Sequence, residues 1–346
     1  MRYIAVDGGK FDTKVATFST TTNELKKFKY RTKISPGTFD DDMLETNTYI
    51  VRIDGGDTYK IGYGAKKEAE LESNKKTEIH KTCVLAAIAM AIGRDDEKND
   101  NKEDISVVVG VPYQTCIIPE ERIEYKNYIL PEGKHTVELK CSSEGPIFKV
   151  TFVLKRRLVY PESVGVLYVY PEHFQDVSGV IDIGNLNTNN SYCDQFEPKQ
   201  EFSFTGELGG KILIAGLAQE LSFKLGTRCS EDIVARVLTK PYEQRCLTPR
   251  SGDQAVTDKS REIIDQYLLN HVNQIKRACD AAQWSTDYMD IAAIGGTSQI
   301  LTRELKMVFG DDIFIPDHPE FVNVEGFLSR MCAIDNVDIT DKVGSR

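Results

Sequence analysis

The chain has 346 residues, is 40% hydrophobic and carries a formal net charge of −10 at pH 7. That length supports two or three domains with substantial cores, and the acidic balance excludes a protein that coats nucleic acid directly, because phosphate binding needs clustered Lys and Arg. No stretch approaches about 20 consecutive apolar residues and no signal-peptide block opens the sequence, so a cytoplasmic protein with no membrane contact is expected.

Tyr3 to Val6 read as a short apolar strand running into Asp7, Gly8 and Gly9, with Val15 to Ser19 as its hairpin partner and Lys14 just before it. A strand ending in Asp and a glycine turn suits a nucleoside triphosphate. Glycine lets backbone N–H groups approach phosphate oxygens, and the carboxylate can hold water on Mg²⁺. An Asp-Gly turn closing an ordinary hairpin has the same local sequence. Residues 20–78 are polar, with short strands such as Tyr49 to Ile53 before the turn Asp54-Gly55-Gly56-Asp57. Ile79 to Ile92 reads as an apolar helix, 95–104 as an acidic solvated loop, and Ile105 to Val111 as a buried strand. A helix over 119–128 and a hairpin of 135–141 with 148–158 come next. Val159-Tyr160-Pro161-Glu162-Ser163 then leads into an apolar segment.

Val177 to Ile183 is another buried strand, ending in Asp182-Ile183-Gly184. Helices are expected from Gly209-Gly210 to Lys224, and from an N-cap at Ser230 to Leu238. The longest spans 257–283, where apolar residues recur every three or four positions. Met289 to Ile294 makes a strand, Gly295-Gly296-Thr297-Ser298 a turn and Gln299 to Phe309 a helix. A strand (Ile313 to Ile315) and a helix (Phe321 to Ile334) complete the pattern. Eight cysteines without a CxxC pair and five dispersed histidines fit neither a zinc site nor a disulfide framework.

Two of the strand-end turns, at Asp7 and Asp182, are related as Asp-x-Gly about half a chain apart, as a duplicated α/β domain would place them. Ligands of open α/β sheets favour the carboxyl ends of strands. In order and spacing these motifs resemble the ATPase superfamily of actin, the heat-shock chaperones and the sugar kinases, most closely the ParM/StbA plasmid-segregation actins. Tyr59-Lys60-Ile61-Gly62, Lys76-Thr77-Glu78-Ile79-His80-Lys81, Phe314-Ile315-Pro316-Asp317 and Asn323-Val324-Glu325-Gly326 also look like StbA-family sequence.

The resemblance implies an α/β actin-like ATPase fold of two duplicated lobes with mixed sheets around a nucleotide cleft. Residues 1–165 would form the first lobe, with a smaller outer subdomain at about 20–80, and 166–320 the second. Residues 321–346 would return to the first. It implies a first phosphate loop at Asp7, Gly8, Gly9, Lys10 and Lys14, and a second at Asp182, Gly184, Asn185 and Asn187. Gly295, Gly296 and Thr297 would form the adenosine turn. Asp7 and Asp182 would reach Mg²⁺ through water, and Glu162 would orient the water that attacks ATP or GTP. The partners implied are further copies of the chain in a filament, and a basic ParR-type adaptor on a plasmid centromere.

The second phosphate loop departs from the family's glycine-rich pattern. It reads Asn185-Leu186-Asn187-Thr188-Asn189, a turn expected to survive because Asn tolerates left-handed backbone. Lys10 is also unusual, either a cation beside the phosphates or a solvated side chain. A small-molecule kinase of the same superfamily would share both loops, although no carboxylate base beside a second pocket is identifiable. A nucleotide-binding scaffold without turnover would share them too.

Overall fold

The computed structural model describes residues 1–20, 22–69, 74–93 and 103–337. Most of the loop expected over 95–104 lies outside the described residues, and its last two, Glu103 and Asp104, begin a strand. The chain divides into two compact units, Met1–Pro171 with the residues from Phe321 onward, and Glu172–Glu320.

In the first unit, β1 (Arg2–Gly8) pairs antiparallel with β2 (Asp12–Phe18), which pairs with β3 (Leu25–Arg31). Four short strands follow: β4 (Lys33–Pro36), β5 (Thr48–Ile53), β6 (Thr58–Gly62) and β7 (Lys67–Glu68). Helix α1 (Glu78–Gly93) crosses to β8 (Glu103–Val111), which runs parallel to β1. The short α2 (Tyr113–Ile117) and α3 (Pro119–Ile129) lead to β9 (Gly133–Lys140), β10 (Ile147–Pro161) and α4 (Gly165–Val169). All ten strands form one sheet, ordered β3-β2-β1-β8-β10-β9-β5-β6-β4-β7. The long β10 makes this possible: residues 147–154 pair antiparallel with β9, and from Phe152 to Pro161 the strand pairs parallel with β8, with an irregularity between Leu154 and Arg156.

β1 is an almost unbroken apolar run because both its faces are covered. Ile4 and Val6 pack with Val84, Leu85 and Ile88 of α1, whereas Ala5 points to the opposite face. At the start of β1, the Arg2 guanidinium donates to the carbonyls of Ala91 and Ile92 at the end of α1. The helix therefore runs antiparallel to β1 and brings its N-terminus beside the turn after Gly8.

The second unit has a five-stranded sheet of β11 (Val177–Ile183), β12 (Thr188–Asp194), β13 (Glu197–Pro198), β14 (Phe204–Gly206) and β15 (Asp290–Ile294). Its helices are α5 (Gly210–Leu225), α6 (Glu231–Leu238), α7 (Gln254–Ala281) and α8 (Thr302–Phe309). Ile181 and Ile183 of β11 share a core with Leu213, Leu217, Ile264 and Leu268. Helix α7 starts ahead of its apolar stripe because the Asp253 carboxylate caps the N–H groups of Ala255 and Val256. Ser230 stands at the N-cap of α6, but its side chain makes no capping bond. Two expected elements are shorter. The strand over 313–315 reduces to a single bridge from Ala292 to Phe314, and residues 299–301 are turn, not helix.

The chain then returns to the first unit as α9 (Val322–Ile334), whose Val324, Phe327, Leu328 and Met331 cover Ala5, Ala16 and Val108. Helix α9 meets α4 glycine to glycine: a Cβ on Gly326 would stand 2.2 Å from the Gly165 carbonyl oxygen. All eight cysteines are free, and among the described residues no helix is long and apolar enough to cross a membrane.

Candidate functional site

In the first unit the antiparallel register sets Asp7 directly opposite Lys14, and Lys14 Nζ lies 3.3 Å from Asp7 Oδ2. Glu162 follows the last residue of β10, and its N–H donates to the Val111 carbonyl at 2.9 Å. The chain turns sharply there: Ser163 has a φ of +67°, and its hydroxyl donates to the Glu162 carbonyl. A non-glycine residue in that region costs on the order of 1–3 kcal/mol, and such strain clusters at functional sites. Asp7 and Glu162 are each only 5% exposed, so each carboxylate needs a partner. Lys75 serves both. Its ammonium pairs with Glu162 Oε1 and lies 3.9 Å from Asp7 Oδ1.

Burial by itself would raise the Asp7 pKa, but the Lys14 and Lys75 ammonium groups outweigh it and hold the carboxyl below its ordinary value. Tyr125 reports the same field. Burial first, then the charges of Glu162 and Asp7, push its hydroxyl up, and it donates to the Gly110 carbonyl at 3.2 Å. Gly8 ends β1, and Gly9 and Lys10 form the turn, where the Gly9 carbonyl accepts from the Thr32 hydroxyl. Lys10 is half-buried there, and its charge acts on His80, so it belongs to this side of the turn.

The second unit ends β11 in a comparable turn. Asp182 is opposite Asn189 on β12 and Ile294 on β15. The Gly184 N–H donates to the Asn187 carbonyl at 3.0 Å, closing the turn. Asn185 and Asn187 do not take left-handed backbone, so the expected use of Asn for that geometry is not how this turn forms. It is held instead from outside. The Gly184 carbonyl accepts from the Gly210 N–H and the Thr297 hydroxyl, and the Asn185 carbonyl accepts from the Lys211 N–H. The Thr297 N–H also donates to the Ile183 carbonyl at 3.1 Å.

Gly295 has a φ of +87°, and a Cβ there would fall 2.4 Å from Asp182 Oδ1. Only glycine fits. Gly296, by contrast, has open space on its Cβ side, with Glu320 at 3.8 Å as the nearest atom. Asp182, Gly184, Asn185, Asn187, Gly295 and Thr297 are thus one stitched assembly, with the N-terminus of the 16-residue α5 against it. A helix N-terminus favours anions.

Each unit therefore ends a parallel-paired strand in a glycine-containing turn beside a buried carboxylate. Among the described residues no three His, Cys, Asp or Glu side chains group as a metal cage. Among the described residues Asp7 Oδ1 is buried with no hydrogen-bond donor, a fit for a water carried by Mg²⁺. The residue not anticipated from sequence is Lys75. It sits one position before the Lys76–Lys81 segment, and nothing local separates it from the other lysines nearby.

No protein-family model and no curated protein sequence matches the chain. Solved structures do. The archaeal actin homologue Ta0583 matches at a TM-score of 0.70 and 18% identity, over 96% of this chain and 99% of its own. It also matches in its complex with ADP, at 0.67 and 19%, over 96% and 99%. The Alp12 filament structure gives 0.71 at 20% identity over 96% and 99%, and apo psk41 ParM gives 0.71 at 14% over 97% and 98%. Identities this low speak for the fold alone, and on that evidence the chain is an α/β protein with the actin-like ATPase fold.

Proposed function

We propose that this chain is a nucleotide-dependent, filament-forming actin-like ATPase that drives plasmid segregation through a basic ParR-type adaptor. The observation that carries the reading is the joining of Asp7 and Glu162 by Lys75 beside the turn that ends β1. A phosphate-binding turn and a carboxylate able to orient water are there parts of one charge network. The ADP complex of Ta0583 and the filament formed by Alp12 support nucleotide binding and self-assembly.

In this reading Lys14 and the backbone of Gly8, Gly9 and Lys10 stabilise phosphate charge in the first unit, and the turn from Gly184 to Asn187 does so in the second. Gly295, Gly296 and Thr297 take the nucleoside side. Asp7 and Asp182 hold waters on Mg²⁺, whose charge neutralises the phosphate oxygens when it is bound. Glu162 accepts a hydrogen bond from the attacking water and orients it, while the ion pair with Lys75 holds Glu162 in place. Loss of the terminal phosphate then removes contacts that order both turns, which weakens the filament. With a net charge of −10 the protein reaches DNA through the adaptor, not by its own surface.

Light scattering tests the reading. Scattering is expected to rise when Mg-ATP or Mg-GTP is added above a critical protein concentration, and to fall as nucleotide is consumed. A chain that stays monomeric with both nucleotides at every concentration contradicts it.

A further inference from the structure

The chain between α6 and α7 contains a 3₁₀ turn, Tyr242–Gln244, and the Arg245 N–H closes it by donating to the Tyr242 carbonyl at 3.0 Å. The Arg245 side chain is only 9% exposed. Its Nε donates to the Lys240 carbonyl at 3.1 Å and its Nη1 to the Ile300 carbonyl at 2.7 Å. One guanidinium thus ties the α6–α7 linker to the chain just beyond Thr297. A second contact runs beside it. Arg303, in the first turn of α8, stacks on the Tyr242 ring at 4.0 Å, and the Tyr242 hydroxyl donates to Asp265 of α7 at 2.6 Å. The linker is held at two points against residues 300–303.

Ile300 is bonded into the turn that Gly295 begins. The Ile300 and Leu301 N–H groups both donate to the Thr297 carbonyl, at 3.1 and 3.3 Å, and Thr297 is itself bonded to the Ile183 and Gly184 carbonyls. A buried charge is tolerated only where hydrogen bonds and countercharges meet it. Burial disfavours the charged guanidinium of Arg245 and lowers its pKa, and the carboxylates of Glu304 and Asp265 oppose that effect. Both of these bonds go to main-chain carbonyls, so the side chain acts on the shape of the backbone.

We infer that Arg245 is a positioning residue for the nucleoside turn of Gly295, Gly296 and Thr297. It pins Ile300, three residues past Thr297, and so holds the turn in the shape that takes base and sugar. Arginine suits this task because its planar fork reaches two separate carbonyls at once, whereas lysine offers a single ammonium. The consequence for nucleotide rests on the functional reading above; the pinning of Ile300 does not.

Steady-state hydrolysis of Mg-ATP and Mg-GTP separates positioning from general loosening. Arg245→Met is expected to raise KM about 10–100-fold, the usual worth of a charge-assisted hydrogen bond, and to leave kcat within a few fold. Arg245→Lys, which keeps the charge, is expected to fall between that variant and the wild type. An unchanged KM in Arg245→Met, or a kcat that falls as far as kcat/KM, overturns the positioning role. Hydrogen exchange of the nucleotide-free protein reads the pinning by itself. In Arg245→Met the Ile300 and Leu301 amides are expected to exchange about 10-fold faster, with β11 at the wild-type rate. Unchanged exchange at Ile300 and Leu301, or equal acceleration along β11, overturns the pinning. Should Arg245→Met fail to fold, Arg245→Lys is read by the same two measures, and wild-type KM and exchange in it overturn the proposal. If the wild-type chain hydrolyses neither nucleotide, the functional reading falls and hydrogen exchange alone decides the pinning.

Discussion

The Lys75 ammonium joins two buried carboxylates, pairing with Glu162 Oε1 and lying 3.9 Å from Asp7 Oδ1. The partners are 87 and 68 residues away in sequence, so the contact ties the segment before α1 to the ends of both β10 and β1. Lys75→Met removes the shared cation from Glu162 and leaves Asp7 with Lys14 alone. Breaking a buried pair in this way typically costs about 3 kcal/mol or more. The variant is expected to melt earlier by that measure in denaturant titration and to hydrolyse nucleotide at most about one hundredth as fast. Wild-type stability and rate together would show that the ammonium is dispensable.

The contact of α4 with α9 gives a sharper structural test. A methyl group on Gly326 would meet backbone, 2.2 Å from the Gly165 carbonyl oxygen and 2.4 Å from its Cα, and backbone cannot swing aside as a side chain can. Gly326→Ala is expected to destabilise the first unit by about 3 kcal/mol or more, seen as a lower denaturant midpoint. Gly296→Ala, with open space on its Cβ side, is expected to leave the midpoint within about 0.5 kcal/mol. Equal midpoints for the two variants would contradict the packing described.

Acid stability should carry the mark of His80. Burial, then Lys75 and Lys10, depress its pKa from 6.5 to about 3 in the folded chain. The unfolded chain therefore binds the extra proton between those values. The stability from keeping His80 neutral is fully present above pH 6.5 and is lost progressively as pH falls toward 3. Relative to His80→Gln, the wild type is expected to lose about 2 kcal/mol between pH 7 and pH 5, measured by denaturant unfolding. Parallel pH curves for the two proteins would mean that His80 titrates normally in the folded state.

Much of this fold is legible in the sequence because both-face burial writes itself as continuous apolar strands. Tyr3 to Val6, Ile105 to Val111 and Val177 to Ile183 are all of this kind. The glycine at 295 is equally plain, since its positive φ and its closeness to Asp182 admit no side chain. What escapes is set by distant partners. Lys75 is one lysine in a polar stretch until β1 and β10 place two carboxylates around it. Phe314 looks like part of a strand, but only one bridge to Ala292 forms. Nothing near His80 in sequence tells that its ring is fully buried, because burial is set by the packing of α1 in the first unit.

The most direct test of the central claim separates binding from chemistry at Glu162. Glu162→Ala removes a carboxylate proposed to act on water and not on the bound nucleotide. Nucleotide affinity is expected to stay within a few fold, while single-turnover hydrolysis falls by about 10²–10⁴. Filaments formed with Mg-ATP or Mg-GTP should still pellet, and should persist longer than those of the wild type. Hydrolysis at the wild-type rate by Glu162→Ala would contradict the assignment and leave Pro161-Glu162 as no more than the end of a strand.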